Sequence, residues 1–420
     1  MVEMRQPIAV KAAISLVMEH VEAMKDEKVS LADSYGRILA EDIVSEHAIP
    51  PFNRAPYDGF AIRAEDSIAA SESNRITFNV VDHIGAGNVT TKVIKAGEAV
   101  RIMTGAAMPE GTDAVVMLEQ ARLSSLADTF TIRKPFLPLE NVSLKGEDAK
   151  AGTALLKKGE QIHPGTIALL ATLGYATVSV ACKPRVGIIA TGSELLDVAE
   201  ELTAGKIRNS NGPMIEAQLA RLRIPYCSYG KMNDDFKACL NIVKQACMET
   251  DCVITTGGVS VGDFDYLPAI YEKLGAKVLF NKVAMRPGSV TTVAILNGKL
   301  LFGLSGNPSA CYTGFELFVR PALLRMMGSS KPYLRYTKAI LQEDFAKPNP
   351  FTRFVRSIYQ YAGEKATITP AGFNKSNAVT SIAFGNALMV LPGGTRGFSK
   401  GDSVDVLVLG TEDGDGEWII

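Results

Sequence analysis

The spacing of apolar residues changes several times along the chain. Near the start these residues recur every three or four positions, which predicts an amphipathic helix. They are Val10, Ile14, Val17, Met18, Val21 and Met24. A second short helix is expected near Ala32–Leu39. From about Val44 to Glu147, short alternating runs such as ITFNVVDHI, EAVRIM, DAVVML and TFTIRKPF are broken by Gly, Pro and Asn. This texture predicts a separate β-rich insertion, after which a helix is expected near Pro164–Leu173.

Strands and helices are expected to alternate from Lys183 onward. A buried-type strand is predicted at VGIIA and further strands at CVITT, KVLF and LLFGL. Helices are predicted at NGPMIEAQLARL, FKACLNIVKQACME, YLPAIYEKLG and SACYTGFELFVRPALLRMM. Such alternation favours an open, mostly parallel α/β sheet, which binds ligands beyond the carboxyl ends of its strands. After about Pro332 the chain returns to short strands, so we expect a small C-terminal β-domain, followed by a loose tail, TEDGDGEWII.

Composition narrows the classes of function. The 420 residues are enough for two to four domains, and 44 basic residues against 45 acidic ones give a net charge of −1. We therefore expect no nucleic-acid or membrane partner, and any anion site must be local. The longest apolar runs fall short of the roughly 18 residues that a spanning helix needs. The six cysteines form no CxxC pair, and the start has no signal-peptide layout. These features are typical of a cytoplasmic protein.

Glycines and acids cluster where three predicted strands end. The loops begin at Thr191-Gly192-Ser193-Glu194, at Gly257-Gly258-Val259-Ser260-Val261-Gly262-Asp263, and at Ser305-Gly306-Asn307-Pro308. Backbone N–H groups in such loops can cradle an oxyanion. Glu194 and Asp263, together with Asp234 and Asp235, would repel a phosphate unless Mg²⁺ lay between them. Each loop alone could be an ordinary turn. Neither GxGxxG opening a βαβ unit nor GxxxxGK[ST] occurs.

Two further segments carry candidate chemistry. In KVAMRPGS, Lys282 and Arg286 would share one face of an extended segment and suit a second anion, although solvated charges on an edge strand are an equal alternative. In the β-rich insertion, Asp58-Gly59 is a turn signal and Met103-Thr104-Gly105-Ala106 could be a plain strand end.

These segments together resemble the MoeA family of molybdopterin molybdenumtransferases, along nearly the full length of the chain. The motifs appear in one order: DGFA from Asp58, TGA from Thr104, GED from Gly146, TGSEL from Thr191, TGGVSVGDFD from Thr256, RPG from Arg286 and GNP from Gly306. The resemblance implies a multidomain α/β protein with a MogA-like three-layer domain, a linker domain, a β-rich insertion, a C-terminal barrel-like β-domain, and a homodimer. The implied boundaries are 1–26 for the helix packing on the α/β domain, 27–46 with 147–175 for the linker, 47–146 for the insertion, 180–328 for the α/β domain, and 332–412 for the C-terminal domain.

The resemblance also implies the chemistry. Molybdate would be inserted into adenylylated molybdopterin, giving molybdenum cofactor and AMP with Mg²⁺, and an adenylyltransferase would be the partner that supplies the substrate. The implied catalytic residues are Asp58, Thr104, Glu194, Asp234 and Asp263, of which the last three would bind the metal. The implied substrate-binding residues are Thr191, Gly192, Ser193, Gly257, Gly258, Ser260, Gly262, Lys282, Arg286, Pro287, Gly306, Asn307, Pro308, Arg356 and Ser376. Arg356 and Ser376 would join Lys282 and Arg286 as candidates for molybdate, and we expect Asp58 and Thr104 to act in the active site of the partner protomer.

Three departures from the family pattern and two alternative functions accompany this hypothesis. The stretch before Asp58 reads Arg54-Ala55-Pro56-Tyr57, where many members have small residues and Met. Ser305 stands where the family usually has proline, and Ser289 where a lysine is common, which removes one cation beside the proposed anion site. The same α/β fold also supports pterin adenylylation, which would require no role for Asp58 or Thr104 and would be revealed by turnover with ATP. A non-catalytic scaffold is the other alternative, and metal-dependent AMP release would separate it from an enzyme.

Overall fold

The computed structural model describes residues 6–125, 128–232, 235–258, 266–363, 365–410 and 414–419. The chain forms two compact units. One unit comprises Met1–Glu41, Lys158–Ala171 and Tyr175–Ile420, and the other comprises Asp42–Lys157 and Thr172–Gly174. The second unit is therefore an insertion into the first along the sequence.

A six-stranded sheet forms the centre of the larger unit. In spatial order its strands are Tyr226–Met232, Val186–Thr191, Cys252–Thr256, Lys299–Leu304, Thr292–Leu296 and Lys277–Phe280. The first four strands are parallel, and the last two are antiparallel to their neighbours. The central strands are almost wholly buried, as expected for strands covered by helices on both faces.

Alternation along these strands builds two separate cores. Ile188, Ile254 and Phe302 face one side, where they share a core with the N-terminal helix Val10–Glu19. On the other side, Ile189, Val253 and Leu301 belong to a core that includes residues of two helices, Phe236–Glu249 and Leu267–Leu274. Helices Asn211–Arg221 and Pro308–Gly314 complete the first layer. The N-terminal helix therefore packs against one face of this sheet.

A β-rich region follows the α/β fold and belongs to the same compact unit. Its sheet contains Met285–Arg286, Thr352–Ala362, Lys365–Pro370, Tyr333–Leu341, Ser403–Val408 and Ala387–Leu391, with Gly414–Asp415 paired to Tyr333–Leu334. Strand Thr352–Ala362 pairs with both Lys365–Pro370 and Ala387–Leu391. These two are connected in turn through Tyr333–Leu341 and Ser403–Val408, so the five strands pair in a closed ring. Met285–Arg286 runs parallel to Thr352–Arg353 and so places a residue from the α/β segment in this sheet.

The inserted unit has its own sheet. The strands, in spatial order, are Ala114–Met117, Gly59–Ile62, Glu98–Ile102, Ile76–Ile84, Thr129–Ile132 and Arg122–Leu123. Cores lie on both of its faces. Ile43–Val44 pairs antiparallel with Ala154–Leu156, so the chain enters and leaves this unit side by side. Elsewhere, Asp26–Ser30 pairs with Thr177–Ala181, Leu195–Leu196 pairs with Ile207–Arg208, and a helix spans Pro164–Thr172.

The predicted α/β class and β-rich C-terminal region are confirmed, and three local predictions are wrong. The helix expected at Ala32–Leu39 is a single 3-10 turn, Ala32–Ser34, because Gly36 takes a left-handed φ of 76°. The closing helix changes to a π-helix over Phe315–Val319 before Arg320–Met326. The tail pairs through Gly414–Asp415 and packs Trp418 on Tyr333. None of the helices in the described ranges combines the length and the apolar content needed to cross a bilayer.

Candidate active site

The three predicted phosphate loops meet at one edge of the α/β sheet. Strands Val186–Thr191, Cys252–Thr256 and Lys299–Leu304 are adjacent and parallel, so their carboxyl ends coincide. The Gly257 N–H donates to the Leu304 carbonyl at 3.0 Å. The Thr191 hydroxyl donates to the Thr256 carbonyl at 3.2 Å. The loops are therefore hydrogen-bonded to one another as well as close together.

Glycine is required at the centre of this edge. Gly257 and Gly258 have φ values of 88° and 64°, in the left-handed region that most side chains avoid. A Cβ on Gly257 would lie 2.4 Å from the Thr191 carbonyl oxygen, and one on Gly258 would lie 2.8 Å from the Thr191 hydroxyl. Because neither position has room for a Cβ atom, the backbone at Gly257 and Gly258 is left open to a ligand.

Asn211, which our sequence analysis did not single out, ties two of the loops together. It begins the helix Asn211–Arg221 and is buried. Its amide nitrogen donates to the Thr256 hydroxyl at 2.7 Å and to the Gly306 carbonyl at 2.8 Å. Its amide oxygen is buried and has no hydrogen-bond partner among the residues that the structure describes. The signal in the sequence was an asparagine in the first turn of a helix, which is common enough at helix starts to carry no functional meaning.

The remaining residues of these loops occupy ordinary positions. Pro308 is the first residue of helix Pro308–Gly314, and the Asn307 N–H, just before it, donates to the Ser305 hydroxyl at 3.2 Å. The Ser193 carbonyl accepts a hydrogen bond from the Lys206 ammonium. Ser260 and Gly262 lie outside the described residues.

The predicted metal ligands are only partly described. Glu194 is exposed, and its carboxylate folds back over Gly192. A Cβ atom added to Gly192 would lie 2.4 Å from a carboxylate oxygen of Glu194. Asp235 instead caps the helix Phe236–Glu249 by accepting the Ala238 N–H at 2.6 Å. Asp234 and Asp263 lie outside the described residues. In the part of the chain that the structure describes, no three His, Cys, Asp or Glu side chains converge as a metal site. Glu194 nevertheless offers the oxygen donors that Mg²⁺ prefers.

A cationic cavity of about 390 Å³ lies at the junction with the C-terminal β-region. Its lining includes Arg286, Pro287, Arg356 and Ser376, which the sequence analysis had proposed. The lining also includes three cationic residues that were not predicted from the sequence: Lys347, Arg353 and Lys375. None of the described residues lining it is acidic. Lys282, which was predicted to share one face with Arg286, is not among the described residues that line the cavity.

Burial and like charge act together on two arginines of the cavity. Arg356 is buried, and this burial, with the charge of Arg353, lowers the pKa of its guanidinium to about 10. Burial also lowers the pKa of Arg353, with a further contribution from Arg286. Arg356 is held by a hydrogen bond from Nε to the Ser381 hydroxyl and one from Nη2 to the Lys375 carbonyl, at 3.2 and 3.1 Å. Its known partners are neutral, so an anion is the natural counter-charge.

The cavity is joined to the phosphate edge through one loop. The Ser309 N–H donates to the Ser376 carbonyl at 3.0 Å, and the Ser309 hydroxyl donates to the Ala378 carbonyl at 2.6 Å. Ser309 follows Pro308 in the helix that begins after Gly306 and Asn307. The anion cavity and the phosphate loops are therefore neighbouring features of one unit.

Asp58 and Thr104 contact each other in the inserted unit. The backbone N–H and the hydroxyl of Thr104 each donate to Asp58 Oδ1 at 2.7 Å. These two hydrogen bonds, the backbone one first, lower the pKa of the Asp58 carboxyl. The pair was predicted only as two separate motifs, 46 residues apart.

The chain matches family models along most of its length. Residues 8–174 match the MoeA N-terminal region (domain I and II), residues 187–325 a probable molybdopterin binding domain, and residues 338–409 the MoeA C-terminal region (domain IV). It is 56% identical over 419 residues to a molybdopterin molybdenumtransferase of Staphylococcus aureus, covering 100% of both chains. It is 58% identical over 408 residues to the protein of that name from Staphylococcus epidermidis, covering 97% of each.

A solved structure is similar to the whole chain. The molybdopterin biosynthesis moeA protein from Pyrococcus horikoshii OT3 superposes with a TM-score of 0.83 at 31% identity. The match covers 96% of this chain and 100% of that one. The likeness therefore includes the α/β region, the insertion and the C-terminal β-region.

Proposed function

The chain belongs to the MoeA family, and we propose that it inserts molybdate into adenylylated molybdopterin, releasing molybdenum cofactor and AMP. Family membership makes it a transferase of molybdenum cofactor biosynthesis. The finer assignments of substrate form, metal and residue roles are our proposal.

The cationic cavity is the observation that carries the molybdate assignment. A tetrahedral dianion needs positive charge together with N–H and O–H donors. Arg286, Arg353 and Arg356 supply guanidinium forks, and Ser376 supplies a hydroxyl. Because no acidic residue in the described lining offsets these charges, the cavity favours a small anion over a neutral or cationic ligand.

The glycine loops would hold the other substrate. The loops that contain Gly192, Gly257, Gly258, Gly306 and Asn307 lie along one sheet edge, next to the cavity. The Gly257 and Asn307 N–H groups already donate within the protein, so the N–H groups of Gly258 and Gly306 would be the donors to the phosphates. Bound there, the phosphates of the adenylylated pterin would lie beside the molybdate. Phosphoryl transfer depends mainly on positioning and on stabilising charge, so this arrangement requires no nucleophilic side chain.

We propose Mg²⁺ as the cofactor, with Glu194 as one ligand and Asp234 and Asp263 as the others. When bound, the ion would neutralise the pyrophosphate charge and polarise the phosphorus that is attacked. The support is the position of Glu194 at the end of strand Val186–Thr191, beside the phosphate loops. Asp58, ionised and oriented by Thr104, is proposed as a further catalytic group.

We also propose a cytoplasmic homodimer that receives its substrate from an adenylyltransferase. This proposal rests on the family resemblance and on the composition, with six free thiols of which four are buried. Sedimentation of the purified chain would test the dimer. A single protomer mass at micromolar concentration would contradict it.

The molybdate site is tested by titrating molybdate against Arg356→Ala, Ser376→Ala and a control, Arg335→Ala. Arg335 is an exposed arginine of strand Tyr333–Leu341, in the same β-region, and does not line the cavity. Charge-assisted hydrogen bonds are worth about 1.5–3 kcal/mol, so Arg356→Ala should raise the half-saturating molybdate concentration roughly tenfold to a hundredfold. Ser376→Ala should act in the same direction more weakly, and Arg335→Ala should have no effect.

Binding of the adenylylated pterin is measured in parallel, because it distinguishes an anion site from general damage. The proposal requires Arg356→Ala to keep pterin binding and to recover activity in excess molybdate. If the variant loses pterin binding and molybdate cannot rescue it, Arg356 does not hold the molybdate, and Lys282 with Arg286 would be the next pair to test.

A further inference from the structure

A second, smaller cavity lies away from both sites described above. It has a volume of about 130 Å³. Three arginines line it: Arg221 and Arg223, at the end of helix Asn211–Arg221, and Arg320, at the start of Arg320–Met326. The lining also includes Gly36, Gln161 and Gly410. Segments far apart in sequence, all from the larger unit, thus converge on three guanidinium groups.

Positive charge is in excess around this cavity. Arg221 forms an ion pair with the buried Glu316 at 2.6 Å, and Glu316 Oε1 also accepts the Gln218 amide at 2.8 Å. Burial, with repulsion from Arg221, lowers the pKa of Arg320, and only Glu316 opposes this. Glu316 is therefore one carboxylate beside two guanidinium groups.

The third arginine lies beside a further cation. Burial lowers the pKa of Lys183, and the charges of Arg37 and Arg223 lower it more. Glu27 partly offsets these charges, and it is itself paired with Arg37. The surroundings of Arg223 thus repeat the pattern around Arg320, in which cations outnumber acids.

Arg320 and Arg223 are held in place by contacts that use only some of their N–H donors. Arg320 Nη1 donates to the Pro332 carbonyl at 2.8 Å. Arg223 Nη1 donates to the Tyr35 carbonyl at 2.7 Å, and its guanidinium stacks 4.1 Å from the centre of the Tyr35 ring. A guanidinium has five N–H donors, so each of these contacts uses a minority of them.

Two backbone irregularities surround the cavity. Arg223 has a φ of 57°, a left-handed conformation that costs a residue with a Cβ about 1–2 kcal/mol. Glu316 lies within the π-helical segment Phe315–Val319, which ends where Arg320 begins. Single π turns inside α-helices occur frequently at functional sites. Both irregularities position the charged groups that face or flank the cavity.

We propose that this cavity binds a small free oxyanion of the phosphate or sulfate class, held by Arg221, Arg223 and Arg320. The volume accommodates a tetrahedral ion and excludes a nucleotide. The ion would join the segment after the N-terminal helix to the α/β domain and to the end of the C-terminal β-region. Occupancy would therefore stabilise the larger unit without entering the reaction.

The test measures thermal stability against inorganic phosphate, with sodium chloride at equal ionic strength as the reference. Wild type is compared with Arg223→Asn, because asparagine tolerates the left-handed backbone while the guanidinium is lost. Arg335→Asn, an exposed arginine on another strand, is the matched control. Arg223→Asn should raise the phosphate concentration for half-maximal stabilisation at least about tenfold, and Arg335→Asn should leave it unchanged.

The location is tested separately by soaking crystals in selenate, a tetrahedral dianion with an anomalous signal. A peak among Arg221, Arg223 and Arg320 in wild type, absent in Arg223→Asn, is the expected result. No peak in wild type, or equal phosphate stabilisation of wild type and Arg223→Asn, would overturn the proposal. If the stabilisation lost in Arg223→Asn is larger with AMP than with phosphate, the ligand is a nucleotide and the assignment to a free ion is wrong. Molybdate binding should be unchanged in Arg223→Asn, which keeps this test independent of the active site.

Discussion

Arg356 is buried beside another arginine, Arg353, so two like charges lie in a region of low dielectric constant. The pKa of Arg356 falls from 12.5 to about 10 as a result. A folded pKa below the unfolded value means that the charged form destabilises the fold below pH 10, and that this cost is relieved as the pH rises through 10. Such strain is expected where a ligand supplies the missing counter-charge.

Molybdate binding should accordingly depend on pH with a definite sign. The bound dianion favours the charged guanidinium, so affinity should be constant between about pH 7 and 9 and should fall above about pH 10, where Arg356 loses its proton. Calorimetric titrations at several pH values measure this directly. Arg356→Gln should bind weakly at every pH and should lose less affinity above pH 10 than wild type does. An affinity that rises across pH 10 in wild type would contradict the assignment.

Asp58 and Thr104 make a separate prediction about a carboxyl group. Thr104→Val removes the hydroxyl donor and keeps the backbone one, so the pKa of Asp58 should move part of the way back towards its ordinary value of 3.8. Asp58 stays ionised at pH 7 in either case, so activity should fall through loss of position, and its pH profile near neutrality should keep its shape. Thr104→Ser should restore activity. Carboxyl chemical shifts of labelled aspartate would report the pKa.

Ser305 is the third position at which a single side chain can be tested. Proline there would remove the hydroxyl that accepts the Asn307 N–H at 3.2 Å, and would restrict the unfolded chain. The first effect costs about 1 kcal/mol and the second stabilises by roughly 0.4–1 kcal/mol, so Ser305→Pro should be close to neutral in thermal unfolding. A drop of several degrees in the midpoint would show that this loop differs from the proline-containing loop typical of the family.

At the scale of secondary-structure elements, Gly257 in its loop and Gly275 at the end of a helix provide a matched pair of variants. Gly257 and Gly275 both have left-handed φ values, 88° and 71°, but only a Cβ on Gly257 meets backbone atoms. Gly275→Ala should cost about 1–2 kcal/mol and leave activity unchanged. Gly257→Ala should cost about 1–3 kcal/mol more from overpacking against Thr191 and should weaken pterin binding. If Gly257→Ala and Gly275→Ala showed equal stability and equal pterin binding, the loop at Gly257 would not be part of the pterin site.

The sequence predicted those elements whose residues interact locally. Strand Ile76–Ile84 and helices Asn211–Arg221 and Phe236–Glu249 follow the predicted runs closely, because alternation and helical periodicity lie within each segment. The pairing of Gly414–Asp415 with Tyr333–Leu334 was missed because it joins residues distant along the chain. The π segment was missed because Phe315–Val319 has an apolar pattern compatible with a plain helix.

Arg353 shows why the site was only partly predictable. It lies three residues before Arg356 in one strand, and regular alternation would place the two side chains on opposite faces. Both nevertheless line the cavity, and Met285–Arg286 pairs alongside Arg353. The proximity of Arg286 to these arginines is therefore set by sheet pairing across about seventy residues, which no local pattern encodes.

The division of the chain into two units makes the proposed roles of the cationic cavity and of Asp58 and Thr104 separately testable. All residues lining the cationic cavity belong to the larger unit, whereas Asp58 and Thr104 belong to the insertion. Ile43 and Leu156 are paired, and paired Cα atoms lie about 4.5–5.5 Å apart. A short linker can therefore replace the insertion without stretching the remaining chain.

Replacing the segment 42–157 by a few glycine and serine residues should give a folded protein that binds molybdate with affinity within about threefold of the full chain. It should release no AMP from the adenylylated pterin, because the Asp58–Thr104 pair is gone. The excised segment 42–157 should fold by itself, since it has its own sheet and a core on each face. Circular dichroism and thermal unfolding of both pieces, with calorimetry on the first, measure these outcomes. An excised segment without cooperative unfolding would show that the two units are not independent. Normal AMP release by the shortened chain would show that Asp58 and Thr104 take no part in catalysis.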